Sequence, residues 1–185
     1  NGFLWAAVGF TAFYFGRSTP GYALTKDCII TNITTQTLDL YKSGEKLNSY
    51  PVGVGRRNYQ TPIGNFKIIT MVKDPGWENP YASKGAVRIQ SGNNNPLGTR
   101  WIGFKEDAKG EFGIHGTNRP NSVGKLSSHG CVRMKIKDAE DVFEHSYMGM
   151  PVLIRYETAT VNLKGEKIYL QATPDVYNKG KSGIE

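Results

Sequence analysis

From Cys28 onward the chain runs in short segments that alternate apolar and polar side chains and stop at Gly, Pro, Asn or Ser. A period of two sends successive side chains to opposite faces of an extended backbone, so such segments predict half-buried strands. "CIITNI" and "TLDLY" flank the turn formers Thr34 to Gln36, and "YKSGEKL" turns at Ser43 and Gly44 into "NSYPVGVG". Both patterns predict hairpins. "TPIGNFKIITMV", "RWIGF", "EFGIHG" and "PVLIRY" add strands, and "EKIYLQA" adds another beside a turn at Lys164 and Gly165. One segment has helical character, "IKDAEDVFEHSY". Asp138 is its expected N-cap, Glu140 and Asp141 suit its positive end, His145 lies near its C-terminus, and Gly149 with Pro151 closes it. The expected class is mainly β, with one short helix.

A length of 185 residues fits one domain, and 38% hydrophobic with 21% charged residues describes a packed globular chain. The net charge of +7 would suit nucleic acid, anionic lipid or an acidic polymer such as a cell wall. Lys and Arg are scattered without a dense run, which argues against nucleic acid. Phe3 to Phe15 carries no charge and is followed by "RSTPGYA". It is shorter than the roughly 20 apolar residues of a spanning helix, and reads as the remnant of an export signal or membrane anchor, residues 1–25, with Gly21 and Ala23 as a small-residue cleavage site. The alternative is an ordinary helix packed on the domain. Lys73 to Gly98 is dense in Pro, Gly and Asn, and a loop of this length predicts a lid or binding loop, with Trp77 and Tyr81 as its aromatic residues.

"GIHGTNRPNSVGKLSSHGCVRM", residues 113 to 134, concentrates the reactive side chains. Alternation from Val132 to Lys137 predicts that Val132, Met134 and Ile136 face the core and that Cys131 and Arg133 face the other way, joined by His129. In "EFGIHG", inward Phe112 and Ile114 would send His115 outward, so two strand ends could present His115 and Cys131 to each other. A free thiol has a pKa of about 8.5 and needs a base to act as a nucleophile at neutral pH, and His115 could supply it. The base must be held in one tautomer. No carboxylate lies nearby in sequence, so a backbone carbonyl of the "HGTN" turn is the expected holder. Gly130 would let a substrate approach closely and leave backbone N–H groups for an oxyanion, and Arg133 could grip a carboxylate or form a structural ion pair. Cys28, at a strand start, reads as a small buried residue. A zinc site of His115, His129 and Cys131 is the chemical rival, but lacks closely spaced ligand pairs. The set suits acyl transfer through a thioester.

The run from His115 to Met134 resembles the signature of the L,D-transpeptidase catalytic domain, also called the YkuD domain. That pattern is a histidine, a spacer, Ser/Thr-His-Gly-Cys, an apolar residue, then Asn or Arg. Here these are His115, Ser128, His129, Gly130, Cys131, Val132 and Arg133. "TPIGNF" and "NPLGTRWIGF" are also similar to family stretches, and the resemblance spans Ile29 to Tyr156. It implies a β-sandwich of mixed strands that acts on peptidoglycan stem peptides outside the cytoplasmic membrane, in the cell envelope. Cys131 would attack the carbonyl between the third residue of a donor stem and its terminal D-alanine, with His115 as base, oriented by the carbonyl of Gly116. An amine of a second stem would resolve the thioester as a 3→3 cross-link; water would make the same site an L,D-carboxypeptidase. Arg133, His129, Ser128, Gly130, Thr117 and Asn118 are the expected substrate contacts, with no cofactor, no metal and no nucleic acid. The implied division is 26–157 as the catalytic domain and 158–185 as a C-terminal strand and polar tail. A sortase-type transferase, which has the same order of His, Cys and Arg but a longer spacing, and a non-catalytic wall-binding module are the alternatives.

Overall fold

The computed structural model describes residues 26–78, 88–108, 110–164 and 167–180, with backbone alone at 160–164. The signal or anchor expected in residues 1–25, Tyr81 of the expected lid and the turn residue Gly165 lie outside the described residues.

The strands are β1 (Cys28–Asn32), β2 (Thr37–Lys42), β3 (Glu45–Pro51), β4 (Val54–Gly55), β5 (Gly64–Lys67), β6 (Thr70–Lys73), β7 (Arg100–Asp107), β8 (Gly110–His115), β9 (Leu126–Ser128) and β10 (Val132–Arg133). After the helix α1 (Ile136–Glu144) come β11 (Pro151–Arg155), β12 (Ala159–Lys164) and β13 (Lys167–Ala172). β4 pairs with β9, and of the two larger sheets one has the order β3-β2-β1-β11-β5 and the other β10-β8-β7-β6. Both are mixed: β1 runs parallel to β11 and β10 parallel to β8, while the hairpin partners run antiparallel.

The period-two pattern explains the core. Ile29, Leu38 and Leu40 of the first sheet and Ile102, Ile114 and Val132 of the second are almost wholly buried in one apolar cluster with Met134, Met150 and Ile154. Burying a Leu, Ile or Val side chain stabilises by about 1.5–3 kcal/mol, so these positions fix which face of each strand points inward. The β2–β3 hairpin turns where expected: Ser43 and Gly44 both have positive φ (50° and 85°), the conformation that matches strand twist in a two-residue turn.

Three expectations are corrected. The alternation that suggested a strand to Lys137 ends at Arg133, and Ile136 opens the helix. The N-cap of α1 is Lys135, without a side-chain cap, and Asp138 lies inside the first turn. There burial pushes its carboxyl pKa up, with Lys135 opposing and Asp141 reinforcing. "NSYPVGVG" is two strands, not one, interrupted at Val52 and Gly53. The C-terminal region gains β12, which pairs with β13 in a separate two-stranded sheet. Beyond it the chain returns to the body: Tyr177 is buried and its hydroxyl donates to the Gly55 carbonyl at 2.8 Å. Among the described residues no helix is long and apolar enough to cross a membrane.

Candidate active site

Strands β7, β8 and β10 lie side by side with Trp101 opposite His115 and Ile102 opposite Ile114. Val132 pairs with Ile114 and Arg133 with His115. Since Ile114 and Val132 are fully buried, alternation turns Gly113, His115, Cys131 and Arg133 to the other face. That face is not open solvent. Trp77, Pro96 and Leu97 of the 74–98 loop cover it and leave a cavity of about 480 Å³ lined also by Trp101, His115, Cys131 and Arg133. His115 is accordingly only 4% exposed, a correction to the solvent-side position expected from alternation.

The His115 ring is held on two sides. Its Nδ1 meets the Gly116 carbonyl at 2.5 Å, and a carbonyl only accepts, so Nδ1 carries the proton and Nε2 keeps its lone pair. Its ring stacks on Trp101, centroids 5.6 Å apart and planes 23° apart. Burial, against the pull of the Gly116 carbonyl and reinforced by the Arg133 charge, pushes the imidazole pKa down to about 4. The ring is neutral at neutral pH. Cys131 is partly exposed and not in a disulfide. Burial pushes its thiol up, Gly113 N–H and Arg133 oppose, and Glu111 reinforces. Both groups therefore rest uncharged.

The turn before Cys131 is closed by Ser128. Its buried hydroxyl donates to the Cys131 carbonyl at 2.6 Å and accepts the Gly130 N–H at 3.0 Å. Gly130 has φ 120°, and a Cβ there would lie 2.6 Å from the Phe112 ring, so glycine is required both for conformation and for space. Of the backbone N–H groups near Cys131 expected to serve an oxyanion, that of Gly130 is thus engaged within the turn.

His129 is exposed at the rim, hydrogen-bonded at Nε2 to Arg56 and edge-on to Tyr59 at 4.6 Å. Burial and the charges of Arg56 and Arg133 lower its pKa. Arg133 is half-buried and donates to the Ser127 carbonyl at 3.3 Å. Among the described residues no carboxylate lies within ion-pair reach of it. Thr117 accepts the Arg119 N–H at 3.1 Å, and Asn118 donates to the Asn94 carbonyl at 3.0 Å, which ties the histidine turn to the covering loop. No cluster of three or more His, Cys, Asp or Glu among the described residues is placed to hold a metal ion.

Reading the motif alone misses four residues. Asn95 is fully buried: its amide donates to the carbonyls of Pro75, Ile89 and Gln90, and its oxygen accepts the Leu97 N–H at 2.7 Å. Trp101 donates its indole N–H to Glu111 at 3.2 Å, and the Thr70 hydroxyl also donates to Glu111. The signal available was the pair of glycines facing each other in "RWIGF" and "EFGIHG", Gly103 opposite Gly113.

Two mixed sheets that bring a thiol and a neutral imidazole to one covered cavity define a β domain with a cysteine-centred site. Residues 26–154 match the family model of the L,D-transpeptidase catalytic domain, YkuD, and the chain belongs to that family. It is 40% identical over 131 residues to the protein named "Putative L,D-transpeptidase YqjB" of Bacillus subtilis, across 68% of this chain and 69% of the relative. It is 36% identical over 110 residues to YkuD of the same organism, across 60% of this chain and 54% of the relative. The catalytic domain of an Enterococcus faecium L,D-transpeptidase superposes with a TM-score of 0.56 at 21% identity, covering 73% of this chain and all of that one. An L,D-transpeptidase in complex with imipenem gives 0.56 at 21% identity, over 70% of this chain and 59% of that one. At that identity the likeness is one of fold. The chain spans little more than half the length of the YkuD relative and of the imipenem-bound enzyme.

Proposed function

We propose that the cavity is the active site of a peptidoglycan L,D-transpeptidase working through a thioester on Cys131. The observation that carries it is that His115, at the end of β8, and Cys131, the residue just before the parallel neighbour β10, line one cavity, with the His115 Nδ1–H committed to Gly116. The His115 Nε2 accepts the thiol proton as the sulfur attacks the carbonyl between the third residue of the donor stem and its terminal D-alanine. The oxyanion takes the N–H of Cys131, since that of Gly130 is engaged by Ser128. The imidazolium returns its proton to the amine of D-alanine, which leaves, and the thioester remains. An amine of a second stem attacks it, His115 removes that amine's proton and passes it to the sulfur, and a 3→3 bond closes. Water in place of the amine gives the carboxypeptidase reaction.

Because the thiol pKa is raised and the imidazole pKa lowered, the two groups do not form an ion pair at rest, and proton transfer accompanies attack. Arg133, half-buried with no carboxylate partner among the described residues, suits a substrate carboxylate. His129, Thr117 and Asn118 line the same cavity, while Ser128 and Gly130 shape the turn under the sulfur. Residues 26–157 form the catalytic unit in this reading, with Tyr177 of the following segment packed against it, and the protein works in the cell envelope, exported, with residues 1–25 as its signal or membrane anchor.

The test is incubation with imipenem and intact-mass spectrometry, followed by a defined disaccharide-tetrapeptide. The expected result is one adduct on Cys131, absent in Cys131→Ser, and release of D-alanine with a cross-linked dimer. A native protein that takes no adduct and releases no D-alanine overturns the reading.

A further inference from the structure

We propose that Glu111 is a positioning residue: by accepting the indole N–H of Trp101, its carboxylate fixes the ring plane on which the His115 imidazole stacks. The proposal rests on the reading of His115 as the base. Glu111 Oε2 takes the Trp101 N–H at 3.2 Å, and Oε1 takes the Thr70 hydroxyl. Thr70, Trp101 and Glu111 come from β6, β7 and β8, so the carboxylate clamps three neighbouring strands on the cavity face.

Space for this clamp is made by two glycines. A Cβ at Gly103 would lie 1.7 Å from Glu111 Oε1, and one at Gly113 would lie 2.7 Å from the Trp101 ring. Neither backbone is in the left-handed region, so it is room for the carboxylate and the indole that these positions require, not conformational freedom. The indole therefore lies flat over Gly113, the residue whose N–H faces the Cys131 sulfur, and alongside the ring of His115.

The Gly116 carbonyl sets the tautomer of His115 and one direction in its plane. A ring held by one hydrogen bond still tilts about that bond, and the stacked indole removes the tilt. The indole in turn pivots about its own side-chain torsions unless its N–H is tied, and Glu111 ties it. Glu111 accepts a donor at each oxygen, Trp101 at one and Thr70 at the other. Its charge works against ionisation of Cys131, so its presence beside the sulfur has no advantage for a thiolate and fits a positioning role.

The experiment compares Glu111→Ala, Glu111→Gln, Trp101→Phe and the double variant Glu111→Ala/Trp101→Phe in the full chain. One readout is the imipenem acylation rate of Cys131; the other is the nitrogen NMR spectrum of the His115 ring, which needs no substrate. Glutamine keeps an acceptor for the indole and should acylate within about threefold of wild type with an unchanged ring spectrum. Alanine and phenylalanine should each slow acylation by about 10–100-fold, the scale of a small misplacement of a reacting group, and broaden or average the ring nitrogen signals. The double variant should be no worse than about twofold beyond either single one, since both break one link. Wild-type rates in Glu111→Ala, glutamine as damaging as alanine, or multiplying losses in the double variant would each overturn the inference. If wild-type Cys131 takes no imipenem, the transpeptidase reading falls, and the ring spectra alone decide whether Glu111 positions His115.

Discussion

The cavity has two walls of different build. The strand wall, with His115, Cys131, Trp101 and Glu111, rests on paired strands whose other face is the apolar core. The loop wall, with Trp77, Pro96 and Leu97, hangs on a few hydrogen bonds centred on one buried asparagine. The first wall fixes reacting groups to the precision of a sheet; the second can only shape and cover. Chemistry should therefore be lost at the strand wall and binding at the loop wall.

The largest effect expected is at the strand wall. His115→Gln keeps the size and a hydrogen-bonding amide but removes the base. Acylation of Cys131 by imipenem should fall about 10³-fold, roughly 4 kcal/mol of barrier, with little change in the concentration giving half-maximal rate. A loss under tenfold would mean the sulfur finds its base elsewhere.

The same residue carries a pH signature that the loop wall lacks. Its folded pKa, about 4, lies below the ordinary value of 6.5. Between those values the unfolded chain binds a proton that the folded chain refuses, so stability falls as pH drops from about 6.5 to about 4 and levels off below. The full contribution is on the order of 3 kcal/mol. Asp27, Glu144 and Asp175 also have lowered pKa values and weaken the fold in acid. Denaturant midpoints of wild type against His115→Gln across pH 4 to 7 isolate the histidine: the wild-type curve should be the steeper one. Parallel curves would put the imidazole in water.

How far the sequence speaks for each wall also differs. Strands with a buried face announce themselves, because burial enforces period two: Ile29, Leu38, Leu40, Ile102, Ile114 and Val132 all sit where alternation sends them. The same rule located the Cys131–His115 face but misjudged its surroundings, since alternation distinguishes two faces and cannot say that a distant loop covers one of them. That a backbone carbonyl of the "HGTN" turn holds His115 was legible from the absence of a nearby carboxylate, and the family resemblance pointed to Gly116. Glu111 was not, because it acts on His115 only through an indole on the neighbouring strand. Asp138 misled because acids favour both the N-cap and the first turn, and the extended backbone at Lys135 decided between them. In the loop, "SGNNNPLG" offers three asparagines, and only the fold reveals which one is buried.

That buried one, Asn95, is where the loop wall should break. Asn95→Ala leaves the carbonyls of Pro75, Ile89 and Gln90 and the N–H of Leu97 without its amide, a loss of about 1–3 kcal/mol. If the loop opens locally, global stability drops less than this and amide exchange at Trp77, Ile89 and Leu97 rises by the corresponding factor. The imipenem concentration for half-maximal acylation should rise while the limiting rate stays within about threefold. A collapse of the limiting rate instead would join the two walls into one unit.

The smallest effect sharpens the contrast. Trp77 and Ile89 exchange backbone hydrogen bonds, both 2.8 Å, so the loop keeps its path without the indole. Trp77→Ala then removes only cavity-lining surface. Its cost should be about 1 kcal/mol, a fivefold or so weakening of imipenem or donor-stem binding, with the limiting rate unchanged. Put beside Trp101→Phe, which keeps an aromatic ring yet should slow the chemistry, this comparison pits two tryptophans of one cavity against each other. The milder substitution should do the greater harm, because it is the one that loosens the ring beneath the base.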